Sequence, residues 1–128
     1  MKKEQIYLLT ILALLIFTTG FSQETESDEV VLKTVDKEAF KSAIESGDYI
    51  LFDVRTVEEY MDGHIEGAKS LNVLDDQFDK TILNIDNSRK YLIYCKSGGR
   101  SQKALEKMKD AGFTHVLELE GGYENWNK

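Results

Sequence analysis

The sequence predicts an α/β fold, a parallel sheet with helices on both faces. Three observations carry that prediction. Apolar runs rich in β-formers, Tyr49–Val54 and Tyr91–Tyr94, alternate with segments at helical spacing. Neither run alternates with polar residues, as befits strands covered on both sides. Both runs end in residues able to do chemistry, Asp53 and Arg55 in one and Cys95 in the other. Ligands of parallel sheets sit beyond the carboxyl ends of strands, so the two ends are expected to share one edge and bring Arg55 near Cys95.

In chain order, Met1–Ser22 has the layout of a signal peptide. Lys2 and Lys3 open it, Ile6–Phe17 is a short apolar core, and Gly20-Phe21-Ser22 is a small-x-small exit before Gln23. The core falls short of the ~20 residues that span a bilayer, so an uncleaved anchor is the alternative reading. No cysteine follows the core, which argues against a lipid anchor. Residues 23–29 read as a flexible acidic tether and 30–128 as one domain. Val30–Leu32 reads as a short edge strand. Asp36 is placed to cap a helix that buries Ala39, Phe40, Ala43 and Ile44 and stops at Gly47. Thr56-Val57-Glu58-Glu59 is a capping box opening a helix that Gly63 closes. A short strand is expected at Ser70–Val73, a helix at Asp76–Leu83 and a turn at Asp86–Ser88. The helix beginning at Ser101 packs through Ala104, Leu105, Met108 and Ala111 and ends at Gly112. Val116–Leu119 is the last strand, and Gly121–Trp126 a turn or helix.

The formal charge is −7, and removal of Met1–Ser22 makes it −8. Such a balance argues against nucleic acid and anionic membranes as partners, since phosphates want a basic face. One Cys and two separated His give no zinc spacing, so no metal is expected. A single thiol sent into an oxidising compartment is either buried or kept for chemistry, and it excludes a two-cysteine oxidoreductase within one chain.

Cys95-Lys96-Ser97-Gly98-Gly99-Arg100-Ser101 favours chemistry. Gly98 and Gly99 permit a tight turn that aims several N–H groups at one point, just before a helix N-terminus. Such a place holds negative charge, whether thiolate or bound oxyanion. Lys96 and Arg100 add positive charge on either side. Thiols in such settings titrate at about 3.5–7.5, below the usual ~8.5.

With these pieces placed, Val30–Trp126 resembles a single-domain rhodanese, a sulfurtransferase. The carriers are Asp53-Val54-Arg55, Glu59-Tyr60, Gly63–Ala68 with Asn72, the Cys95–Ser101 loop, Gly121-Gly122-Tyr123 and Trp126. Export of so small a domain is similar to the periplasmic phage-shock-type rhodaneses. The resemblance implies a five-stranded parallel sheet and a cysteine that carries a sulfane sulfur as a persulfide. It implies a periplasmic monomer, free of the membrane after signal cleavage, that needs no cofactor. A small anionic donor such as thiosulfate would load Cys95, and a thiol or cyanide would unload it. The persulfide would rest among the amides of residues 96–101, with Lys96 and Arg100 holding the donor's oxyanion. The chain stops two residues after Trp126, which implies a shortened last helix.

The remaining residues have structural readings. Asp53 is expected to hold the loop by hydrogen bonds and Ser101 to cap the helix. Arg55 either reaches the substrate or pairs with Glu59, and both stay open. His64 reads as a hydrogen-bonded turn residue, His115 as surface and Trp126 as core. Gly121 and Gly122 read as sites of close backbone approach. Two further functions compete with sulfur transfer: a cysteine-dependent phosphatase or arsenate reductase, and a non-catalytic binding module. The C-x4-R loop is shorter than the C-x5-R of phosphatases resembling this pattern, and suits a persulfide better than a tetrahedral phosphate. The cysteine that binding modules lose is present.

Overall fold

A computed structural model describes residues 29–128, so the predicted signal peptide and nearly all of the tether lie outside the described residues. Within them five strands alternate with five helices. These are β1 (Val31–Val35), α1 (Lys37–Ser46), β2 (Tyr49–Asp53), α2 (Val57–Asp62) and β3 (Lys69–Ser70). Then follow α3 (Phe78–Leu83), β4 (Lys90–Tyr94), α4 (Gly99–Asp110), β5 (His115–Leu119) and α5 (Gly122–Trp126). Every strand pair is parallel, in the order β1-β5-β4-β2-β3. The strand that ends at Cys95 is therefore the central one, flanked by β2 and β5.

Period-two alternation sorts the core into two layers. Tyr91, Ile93 and Cys95 of β4 face the layer that holds Phe78 and Ile82 of α3 and Ala104 and Met108 of α4. Leu92 and Tyr94 face the layer that holds Phe40 and Ala43 of α1, with Tyr123 and Trp126 of α5 packed against it. The expected edge strand is found as β1, longer at its carboxyl end. Asp36 caps α1 by accepting from the Ala39 N–H at 2.8 Å, and Gly47 stops it at φ 74°. The Thr56 capping box is complete, with Glu59 reaching back to the Thr56 N–H.

Three boundaries differ from the sequence reading, each for a local reason. β3 is only Lys69–Ser70, because β2 ends at Asp53 opposite Ser70; beyond that point the Leu71 and Val73 N–H groups still bond Asp53 O and Val54 O. α3 starts at Phe78 rather than Asp76, since Asp75 ties up the turn by accepting from the Gln77 and Phe78 N–H groups. α4 begins at Gly99, and only Gly98 of the pair has positive φ, at 118°. Ser101 thus lies inside the first turn, and Gly98 is the cap. His115 is half-buried rather than plain surface, its Nε2 lying 2.9 Å from Tyr49 Oη. Trp126 is also half-buried, edge-on to Phe40 at 6.3 Å. His64 is the expected turn residue, its Nδ1 2.9 Å from Tyr60 O.

Gly122 is where the backbone approach is closest. A Cβ there would lie 2.5 Å from Cys95 O and 2.6 Å from the Lys96 carbonyl, at φ 60°. Gly47 has a comparable φ of 74° but open space around it. Urea unfolding should therefore separate two alanine substitutions. Gly47→Ala is expected to cost about 1 kcal/mol, the backbone term alone. Gly122→Ala adds overpacking against main chain and is expected to cost about 2–5 kcal/mol. Equal losses would contradict the steric argument.

Candidate active site

The site begins with the end of β4. The N–H groups of Tyr123 and Glu124, in the first turn of α5, donate to Cys95 O at 2.8 Å and Lys96 O at 3.0 Å. In a trans peptide the carbonyl and the following N–H point in opposite directions. Drawing these two carbonyls toward α5 turns the next amides into the loop, toward Sγ. The Gly98 N–H donates to Cys95 Sγ at 3.1 Å. Cys95 itself is 1% exposed. Burial pushes its thiol up, but the Ser101 hydroxyl and the amides of Ser101, Gly98 and Ser97 outweigh that and hold it below the ordinary value.

Ser101 Oγ accepts from Cys95 Sγ at 3.3 Å, and its one proton has two acceptors within reach, Gly98 O at 3.1 Å and Glu118 Oε1 at 2.5 Å. Glu118 is 1% exposed and accepts from Thr34 Oγ1 at 2.6 Å through its other oxygen. The sequence reading passed over Glu118 as one residue of a strand. The available signal was an acid in the middle of an apolar strand, which a sheet covered on both faces cannot leave unpaired.

The basic residues are placed differently from expectation. Arg55 is buried and locked onto Asp53: Nε and Nη2 contact the carboxylate at 3.0 and 2.6 Å, and Nη2 also donates to Gly63 O. Its partner is Asp53 rather than Glu59. Asp53 correspondingly anchors Arg55 and accepts from Tyr94 Oη at 2.8 Å, holding β2 to β4 beneath the loop instead of bonding the loop itself. The Arg55 guanidinium lies over the Tyr123 ring at 4.3 Å, linking this cluster to α5. Glu59 is taken by Arg100 in a fork, Nη1 to Oε2 at 2.6 Å and Nη2 to Oε1 at 2.8 Å. Lys96 is exposed and only loosely paired with Glu124, at 3.8 Å. Exposed pairs of this kind contribute little, so the Lys96 charge stays available to an anion. A cavity of about 210 Å³ opens beside it, lined by Arg55, Glu59, Asp62, Gly63, Lys96 and Tyr123, among others. Among the described residues no three His, Cys, Asp or Glu side chains converge as metal ligands, and no helix is long and apolar enough to cross a membrane.

Residues 36–128 match the model of the Rhodanese-like domain. "Thiosulfate sulfurtransferase 18" of Arabidopsis thaliana is 34% identical over 119 residues, covering 84% of this chain and 85% of the relative. "Protein HIGH ARSENIC CONTENT 1, mitochondrial", also from Arabidopsis thaliana, is 30% identical over 121 residues, covering 85% and 71%. Among solved structures, the human single-domain sulfurtransferase TSTD1 superposes with a TM-score of 0.64 at 25% identity, over 73% of this chain and 94% of that one.

The Glu59–Arg100 fork makes a pH prediction. The Arg100 hydrogen bonds, with help from Thr56 and against some desolvation, hold the Glu59 carboxyl at about 2 instead of 4.5. A depressed carboxyl contributes stability that is complete above 4.5 and lost as pH falls toward about 2. With both side chains roughly a quarter to a third exposed (26% and 30%), screening reduces the contribution to about 1–2 kcal/mol. Glu59→Gln should therefore be less stable than the native chain by that amount at pH ~6, with the gap closing by pH ~2. Urea unfolding at the two pH values measures it. A gap that persists in acid would assign the loss to packing instead.

Proposed function

The chain belongs to the rhodanese-like domain family, and from that premise we propose that it is a sulfurtransferase working through a Cys95 persulfide. The observation that carries this reading is the thiol itself, at the end of the central strand, with the Gly98 N–H 3.1 Å from Sγ inside a four-residue Cys-to-Arg loop. The thiolate attacks the outer sulfur of thiosulfate; a Cys95 Sγ–S bond forms, the donor's S–S bond breaks, and sulfite leaves with the electron pair. An acceptor thiolate or cyanide then attacks the outer sulfur, and Cys95 leaves as thiolate. Charge is conserved in both steps, and the reactants are Cys95 and its two substrates alone. The persulfide anion is assigned to the amides of residues 96–101.

Within this reading Lys96, exposed and weakly paired, is the residue that recruits the anionic donor. Arg100 contributes from a fixed position, since Glu59 holds its guanidinium beside the loop. Asp53 and Arg55 support the site from beneath. The partners are a small anionic sulfur donor and a small or protein-borne thiol acceptor. We further propose export to the periplasm, in the manner of the phage-shock-type members, on the sequence pattern of Met1–Ser22. N-terminal sequencing of the native protein should return Gln23 from the periplasmic fraction; Met1 from a membrane fraction would indicate an anchor. A second reading, arsenate reduction, rests on the Cys-to-Arg loop, beside which one Arabidopsis thaliana relative carries the words high arsenic content in its name.

Intact mass after incubation with thiosulfate should show one added sulfur that reductant removes and that Cys95→Ser never acquires. Lys96→Ala should raise the KM for thiosulfate about tenfold, the lower range for a charged contact, and leave the acceptor step unchanged. An unloaded cysteine together with thiol-dependent reduction of arsenate would favour the second reading. Turnover of an aryl phosphate without a sulfur adduct would favour a phosphatase.

A further inference from the structure

Glu118 has no part in the chemistry above, yet it is a fully buried acid one hydroxyl away from the nucleophile. Strand parity places it there: Val116 and Glu118 of β5 share the face that Cys95 ends in β4, and α4 lays Ser101 between them. The arrangement is Cys95 Sγ to Ser101 Oγ at 3.3 Å and Ser101 Oγ to Glu118 Oε1 at 2.5 Å. Ser101 has one hydroxyl proton. It cannot donate to a thiolate and to a carboxylate at the same time.

We propose that Glu118 is a positioning residue for the nucleophile, forming with Cys95 a coupled pair that shares the single hydroxyl proton of Ser101. With Glu118 ionised, Ser101 donates to Oε1 and accepts from the thiol, leaving the loop amides to favour the thiolate. With Cys95 ionised, Ser101 turns its proton to Sγ beside the Gly98 N–H, and Oε1 keeps its contact with Ser101 Oγ by donating as the acid while Thr34 still donates to Oε2. The two arrangements interconvert by a double shift: the thiol proton passes to Ser101 Oγ as the Ser101 proton passes to Oε1. Thiol plus carboxylate becomes thiolate plus carboxylic acid, with net charge unchanged.

The surroundings leave this pair to itself. From β1, Thr34 faces Glu118 and offers a hydroxyl, while Lys33 pairs with Leu117 in register and lies on the opposite face. From β4 the facing titratable group is Cys95; from α4 it is Ser101, with Gly98 at its cap. Arg100, also of α4, carries charge toward Cys95 but is forked to Glu59. Just past its own strand, Glu120 is the next acid and is exposed. Among the described residues Glu118 makes no ion pair.

The inference rests on the sulfur-transfer reading only in taking Cys95 as the nucleophile. Iodoacetamide reads that nucleophile with no sulfur donor, so a failure of sulfur transfer leaves the test intact. Alkylation rate against pH is compared for the native chain, Glu118→Gln, Ser101→Ala and the double variant, each first shown folded by thermal melting. A glutamine mimics the neutral acid: its amide donates to Ser101 and frees the hydroxyl proton for the thiolate. Glu118→Gln should therefore lower the alkylation midpoint by about one pH unit, or about tenfold faster alkylation below it. With Ser101→Ala also present, Glu118→Gln should change nothing further. The same shift with and without Ser101 would mean a through-space charge effect and overturn the shared-proton pair, as would no shift at all. The native chain gives an independent reading should the buried substitutions unfold the domain. With carboxyl-labelled glutamate at one fixed pH, blocking Cys95 by alkylation should move the Glu118 carboxyl resonance; an unmoved resonance would overturn the proposal.

Discussion

Two hydrogen bonds from α5, to Cys95 O and Lys96 O, are the constraint on which the rest of the site depends. They fix the direction of the peptide planes leaving β4, and thereby the direction of the amides that line the loop. A thiol at the end of a buried strand would otherwise be raised by desolvation. Here the Ser101 hydroxyl and the loop amides together outweigh burial, and the direction of the shift reverses. A C-terminal helix of five residues is thus part of the electrostatics of a cysteine some thirty positions earlier.

Around that centre the chain spends carboxylates to hold its guanidinium groups still. Asp53 fixes Arg55 below the loop, and Glu59 fixes Arg100 beside it. An arginine held by a fork is ready for a planar anion without the entropy cost of finding its rotamer. The cost is a weaker local field, since each positive charge has a negative one beside it. Lys96 is the exception, and its long exposed stem suits a mobile role at the mouth of the site. Glu59 serves α2 and Arg100 together, because one carboxylate caps the helix through Thr56 while accepting the fork.

Much of this was legible in the sequence because it is local. The Asp36 cap, the Thr56 box, the apolar central strands and the loop after Cys95 are each written within a few residues of one another. The pairings that the sequence hid are the distant ones. Glu59 and Arg100 lie 41 positions apart, and the capping box already accounted for Glu59, so nothing in the spacing asked for a second partner. Arg55 was left open between the substrate and Glu59, and its carboxylate partner, Asp53, went unseen for the opposite reason: it is two residues away, too close in the chain to suggest a side-chain fork. Ser101 looked like a cap because small hydroxyl residues favour helix starts. The helix began two residues earlier, at Gly99, and that turned Ser101 inward. β3 is short because its one neighbour in the sheet is β2, which itself ends at Asp53, opposite Ser70.

The clearance at Gly122 has a consequence for descent. A side chain there collides with main chain, so selection against it acts on folding and is indifferent to whether sulfur is ever transferred. A lineage that discarded Cys95 and kept only a docking role would still be obliged to retain this glycine. The Gly121-Gly122 signature therefore marks inherited architecture, while evidence for inherited chemistry must be sought at Cys95 and the hydroxyl behind it.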